Sequence, residues 1–255
     1  MELPADLVAA LQGIRSMGVV TGAGLSAESG IPTYRGKGGI YDDEEEGDRT
    51  VEALSGPTLR SDPDRTWRVV AELARRSVEA APNPGHLALV RIEQTLERFV
   101  LLTQNVDGLH REAGSANLID IHGDVLDARC MQCEHRQRFS PDEVRELDGA
   151  PPCPACGGTL RPDAVLFGEM LPNDKIHRLH EEFLVRTPDL VLIAGTTAVF
   201  PYIVEPVLQA ARAGLPTIEV NPEATDVSPV VRWSLRGPAG EVLPAIADAI
   251  ASRAG

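Results

Sequence analysis

Five short, mostly apolar runs, at 17–21, 99–103, 118–121, 190–194 and 216–220, are too brief for helices and end in turn-forming or polar residues. That is the pattern of parallel strands covered on both faces. Between them apolar residues recur at helical spacing. Leu7, Leu11 and Ile14 mark a first helix over 5–15, and further helices are predicted over 66–80, 86–98, 203–212 and 242–253. The alternation predicts an α/β fold with a doubly wound parallel sheet. Two stretches break it. Residues 36–64, rich in Gly, Asp and Glu, read as a long mobile excursion, and residues 129–159, with little core-forming sequence, read as a small inserted module that needs a staple.

Composition narrows the class. The chain has 255 residues, 43% of them hydrophobic and 24% charged, enough for one sizeable core and unlike a disordered or fibrous sequence. Lys+Arg of 24 against Asp+Glu of 38 leaves −14, a sign that removes the usual drive for nucleic-acid binding. No apolar run reaches the length of a membrane span and the N-terminus lacks a signal-peptide pattern, so the expected location is cytoplasmic. Little chain lies outside the motif-bearing core, and no additional targeting domain is expected. No oligomeric state is implied, and a monomer is compatible with the sequence.

The cysteines carry the first chemistry. Cys130 and Cys133, then Cys153 and Cys156, form two C-x2-C pairs, each able to turn two thiolates onto one metal. Two disulfides or a redox pair are the alternatives. Four thiolates complete a tetrahedron, so a zinc ion here would be structural, with no position left for a reactive water.

The strand ends carry the rest. Gly22 and Gly24 follow the first strand, where backbone amides and a following helix could receive a pyrophosphate, although ordinary turn glycines are the alternative. Gly195, Thr196 and Thr197 follow the fourth strand, and Asn221, Pro222 and Glu223 the fifth. Ligands of open α/β sheets bind at these carboxyl ends. The segment 104–110 follows the second strand and His122 the third, placing an amide (Asn105), a carboxylate (Asp107) and an imidazole on one crevice. A capping or core role is the alternative for His122. His86, His110, His135, His177 and His180 read as structural or exposed.

Together these motifs resemble a family. Residues 22–36 (GAGLSAESGIPTYRG), 103–110 (TQNVDGLH), 122–124 (HGD), the paired C-x2-C, 161–169 (RPDAVLFGE), 195–197 (GTT) and 221–223 (NPE) stand in the order found in the sirtuins, the NAD-dependent protein deacylases, in their bacterial form. The resemblance spans about residues 16–243. It implies a single catalytic domain over 1–255: a Rossmann-like part at about 1–35, 82–128 and 162–255, and a small helical and zinc-binding part at about 36–81 and 129–161.

It also implies roles. Gly22, Ala23, Gly24 and Glu28 would line the diphosphate site of NAD+, with Tyr34 and Arg35 on a mobile cofactor loop. Gln104, Asn105 and Asp107 would hold the nicotinamide and its ribose. Gly195, Thr196, Thr197, Asn221, Pro222 and Glu223 would grip the adenosine half, with Ala239 against adenine. His122 would be the general base, and Val165, Leu166, Phe167 and Gly168 would receive an acyl-lysine peptide as an added strand. The implied reaction consumes NAD+: the acyl oxygen attacks C1′ of the ribose as nicotinamide leaves. His122 then takes a proton from a ribose hydroxyl, and the products are free lysine, nicotinamide and O-acyl-ADP-ribose.

Departures refine this expectation. The Tyr-x-x-Arg pair of desuccinylase-type sirtuins falls at Val70 and Leu73, which cannot bind a carboxylate, and Arg75 and Arg76 would face elsewhere on the helix. Neutral acyl groups are therefore expected over succinyl. Tyr34 stands where many sirtuins have Phe, and Thr197 replaces the usual Ser. The rivals are an NAD-dependent ADP-ribosyltransferase or NAD glycohydrolase in the same pocket and, outside enzymes, a zinc-ribbon protein that only senses NAD. His122 weighs against the first, and the full Asn105, Asp107 and His122 set against the second.

Overall fold

All five predicted strands are present in a computed structural model of the chain, which describes residues 2–33 and 43–252. In chain order the elements are α1 (Ala5–Gly13), β1 (Ser16–Thr21), α2 (Glu44–Ala53), α3 (Gly56–Ser61), α4 (Pro63–Glu79), α5 (Pro84–Thr95), β2 (Arg98–Thr103), α6 (Leu109–Ala113) and β3 (Leu118–Asp120). They continue with β4 (Gly123–Cys130), β5 (Arg136–Arg138), α7 (Pro141–Glu146), β6 (Leu160–Ala164), α8 (Asn173–Leu179), β7 (Leu190–Ala194), α9 (Pro201–Arg212), β8 (Thr217–Val220), β9 (Trp233–Leu235) and α10 (Ala239–Ala251). No helix among the described residues is long and apolar enough to cross a membrane.

Six strands form one parallel sheet in the order β3-β2-β1-β7-β8-β9. Successive residues of β1 enter opposite faces: Met17 and Val19 pack with α1, α5 and α10, while Val20 packs with α9 and the π-helical turn His180–Val185 that prolongs α8. Burial on both faces is why these strands read as unbroken apolar runs. Register sets the site. Thr21 pairs with Thr103 on one side and Ala194 on the other, and Ala194 pairs with Val220. Four loops therefore leave the sheet at one level, around the β1/β7 junction where the strand order reverses.

Residues 43–64, expected as an excursion, are helical. Asp43, Ser55 and Asp62 each accept a backbone N–H three residues on, capping α2, α3 and α4, and Pro57 and Pro63 occupy first-turn positions. The acidic residues Asp43, Glu44, Glu45 and Glu46 thus open α2, where negative charge is favoured. The cysteine-bearing stretch also holds more structure than expected. β5, β4 and β6 make a three-stranded antiparallel sheet whose apolar face shares a core with α4. There Trp67 meets Phe139 edge-on at 5.7 Å and donates its indole N–H to the Leu160 carbonyl at 2.7 Å. β9, only three residues long, was also not expected.

Candidate active site

At the β1/β7 junction the two glycine loops interlock. Gly22 N–H donates to the Ala194 carbonyl at 3.1 Å and Gly24 N–H to the Gly195 carbonyl at 2.7 Å. A Cβ on Gly24 would lie 2.8 Å from that same oxygen, and one on Gly195, whose φ is +60°, would lie 2.4 Å from Leu25 N. These glycines are required by loop-to-loop packing, and the amides of Gly22 and Gly24 are engaged inside the protein rather than offered to a phosphate. The helix expected after them is two 3-10 turns, Ala23–Leu25 and Ala27–Ser29. Glu28 reaches away to accept the Gly240 N–H at 2.8 Å, tying this loop to the start of α10. Tyr34 and Arg35 lie outside the described residues.

Beside this loop, the polar residues after β2 form a buried set. Ser26 Oγ donates to Asp107 Oδ2 at 2.6 Å and accepts from Asn105 Nδ2 at 3.0 Å, and Asn105 also donates to the Gly22 carbonyl at 3.2 Å. Asp107 Oδ1 accepts the Leu109 N–H at 3.0 Å. Burial pushes the Asp107 carboxyl up, against the Ser26 hydroxyl and the Leu109 amide, which favour its charged form. Below, Thr21 Oγ1 meets Thr103 Oγ1 and His110 Nε2, each at 2.9 Å. His110 and His86 pack ring to ring at 4.8 Å, and burial lowers both, His86 to about 4. They are neutral core histidines.

His122, between β3 and β4, is held at both nitrogens. Nδ1 lies 2.9 Å from the Gln104 carbonyl, which can only accept, and Nε2 lies 2.7 Å from the Tyr202 hydroxyl. Gln104 also donates its amide to Thr196 Oγ1 at 3.0 Å, joining the β2 and β7 loops. Burial lowers the His122 imidazole below its ordinary value; the Gln104 carbonyl opposes this and the Lys175 ammonium reinforces it. The neutral form is therefore favoured, with its base nitrogen fixed as Nε2.

On the β8 side, Asn221 Nδ2 donates to the Thr196 carbonyl at 3.0 Å and its Oδ1 accepts the Glu223 N–H at 3.2 Å. Pro222, Glu223 and Thr197 are exposed, whereas Ala239 is only 3% exposed, packed in the core at the first residue of α10. Beneath this loop Glu219, 2% exposed, accepts from the hydroxyls of Thr225, Ser228 and Ser234 and pairs with Arg236 at 3.0 Å.

Residues 165–168 are not an open strand. Val165 N–H donates to the His122 carbonyl at 2.8 Å and Phe167 N–H to the Leu54 carbonyl at 2.8 Å, while the Phe167 carbonyl accepts from Gly56 at 3.1 Å. One edge is thus already paired with the turn before α3. Leu166 N–H goes to Glu169 at 3.1 Å, and Arg161 clamps Glu169 through two 2.8 Å bonds. Gly168, at φ +79°, closes the segment, and its backbone has no hydrogen-bond partner among the described residues.

The four cysteine sulfurs all lie within 4.8 Å of one another, with Cys130 to Cys156 at 3.5 Å and Cys133 to Cys153 at 3.7 Å. A tetrahedron with zinc–sulfur bonds of about 2.3 Å places sulfurs about 3.8 Å apart, so the cluster fits one structural zinc ion. The Gln132 amide donates to Cys130 and holds its thiol down at about 6. Cys133 is pushed up to about 12 even though the His135 amide favours its thiolate, because the neighbouring sulfurs and burial oppose it. Four thiolates this close need a cation between them.

Of the residues singled out from sequence, Gly22, Gly24, Gln104, Asn105, Gly195, Thr196 and Asn221 join the loops after β1, β2, β7 and β8 by direct hydrogen bonds, and His122 joins them through Gln104, whereas Glu28 bonds to Gly240 and Glu223 only within its own loop. Ser26, Tyr202 and Glu219 were not singled out. Ser26 lay within a recognised motif, but its role depends on Asn105 and Asp107, about 80 residues away in sequence.

The Sir2 family matches residues 22–201. NAD-dependent protein deacylase 2 of Pseudomonas aeruginosa is 45% identical over 249 residues, covering 96% of each chain. A Sir2 homologue solved in complex with NAD superimposes with a TM-score of 0.86 at 34% identity, covering 100% of this chain and 96% of its own. A mutant Sir2 homologue bound to 2′-O-acetyl ADP ribose superimposes with a TM-score of 0.87 at 34% identity, covering 98% and 97%.

Proposed function

The chain belongs to the Sir2 family, and from that premise we propose that it is an NAD-dependent protein-lysine deacylase acting through His122. The carrying observation is the imidazole itself: neutral by burial, with Nδ1 fixed on the Gln104 carbonyl and Nε2 left as the base, at the level where the sheet's loops converge. NAD+ supplies the activated ribose and is consumed with one water. Its nicotinamide half would rest on the Asn105, Asp107 and Ser26 set, and its adenosine half beside Thr196 and Asn221. His122 would take the proton of the ribose hydroxyl that captures the acyl group. The acyl-lysine peptide would lie along residues 165–168, using the Gly168 backbone, which the turn before α3 leaves unpaired; Leu166 already commits its N–H and its carbonyl to Glu169.

We assign neutral acyl groups as the preferred substrates. Val70 is buried and Leu73 half-buried on α4, and the nearby cations are committed elsewhere: Arg75 donates to the Leu147 carbonyl, and Arg76 pairs with Glu72 at 2.5 Å. Turnover of matched acetyl- and succinyl-lysine peptides by wild type and His122→Ala tests both points. The expected result is acetyl over succinyl for wild type and a loss of about 10²- to 10⁴-fold for the variant, with NAD+ binding by calorimetry nearly unchanged. Undiminished turnover by His122→Ala overturns the reading.

A further inference from the structure

His122 has no uncommitted ring nitrogen. Because the Gln104 carbonyl has no proton to give, Nδ1 is the donor of that bond and the neutral ring accepts at Nε2. The Tyr202 hydroxyl, 2.7 Å from Nε2, is then the donor there, and burial raises the phenol to about 12, which keeps that proton in place. Tyr202 sits in the first turn of α9, stacked on Phe200 with centroids 5.6 Å apart and an interplanar angle of 19°, while the Phe200 and Tyr202 rings both meet His122 edge to face. The hydroxyl is aimed by ring packing.

An imidazole nitrogen has one in-plane lone pair. While Tyr202 occupies it, no other hydroxyl can give its proton to Nε2. We propose that Tyr202 is a positioning residue: it caps Nε2 of His122 in the ligand-free protein and yields that lone pair to the ribose hydroxyl when the co-substrate binds. The identity of the incoming hydroxyl rests on the deacylase reading; the cap is a property of the free protein. Among the described residues the charge acting on this ring is Lys175 of α8, which is itself paired at 2.9 Å with Asp120 of β3. The Lys175 charge disfavours the imidazolium, and so does a bond that only the neutral ring can accept.

Histidine-labelled, ligand-free protein titrated by ¹⁵N NMR tests the cap. Tyr202→Phe keeps the ring and removes the donor, so protonation of His122 moves to higher pH, by about half a unit or more. Replacing tyrosine throughout by 3-fluorotyrosine, a more acidic donor of nearly the same shape, moves it to lower pH and serves if Tyr202→Phe does not fold. In kinetics, the acid limb of kcat/KM, which reports free enzyme, shifts upward in Tyr202→Phe, while that of kcat, which reports the bound complex, stays. A His122 titration unchanged in both proteins reduces Tyr202 to packing. A kcat limb that moves with kcat/KM leaves the tyrosine on the base throughout turnover and overturns the exchange. Failure of the deacylase reading would show separately, in His122→Ala.

Discussion

Ser26 joins two residues expected to contact nicotinamide. Its hydroxyl gives its proton to Asp107 and takes one from Asn105, with the whole set buried. Ser26→Ala would leave Asp107 short of a donor where burial already disfavours its charge, costing about 1–3 kcal/mol. Thermal unfolding should fall by several degrees, and kcat/KM by tenfold or more as Asn105 and Asp107 lose alignment. Wild-type values for both would remove Ser26 from the site. A neighbouring strain is Ala198, held at φ +58° with its N–H on Thr196 Oγ1. A left-handed alanine costs about 1 kcal/mol, and it lies in the loop that joins β7 to the tyrosine capping His122.

The three-stranded sheet is where a metal and packing share the work. β4 ends at Cys130, and its cysteine cluster lies at the rim of the core built on Trp67. Chelation should therefore loosen β5, β4 and β6 first. Hydrogen exchange on chelator-treated protein is expected to show protection lost over 123–164 before it is lost in β1 and β7, and equal protection throughout would contradict a structural metal. These strands were not legible in the sequence, whereas the metal cluster was. A C-x2-C pair states its geometry in its spacing, but β4 buries its residues irregularly around a bulge and shows no clean alternation. Five of the six parallel strands were legible as apolar runs buried in the sheet, whereas β9, three residues long with Ser234 exposed at the sheet edge, was not. Helices α2 and α3 were missed because their signals are caps at Asp43 and Ser55, not an apolar period.

The charge of −14 now has a partial place: Asp43 caps α2, and Glu45 pairs with Arg49 on an exposed face. The chain's larger design is one register. Thr103, Thr21, Ala194 and Val220 end side by side, so loops far apart in sequence deliver Asn105, Ser26, Thr196 and Asn221 to one place. Sequence order disclosed these loops, because each follows a buried strand; it could not disclose Tyr202, which reaches His122 only through folding. The most direct test of the account is to incubate the protein with NAD+ and an acetyl-lysine peptide and follow the products by mass spectrometry. Deacetylated peptide, nicotinamide and O-acetyl-ADP-ribose in equal amounts are predicted. Nicotinamide without loss of the acetyl group, or intact NAD+, would contradict it.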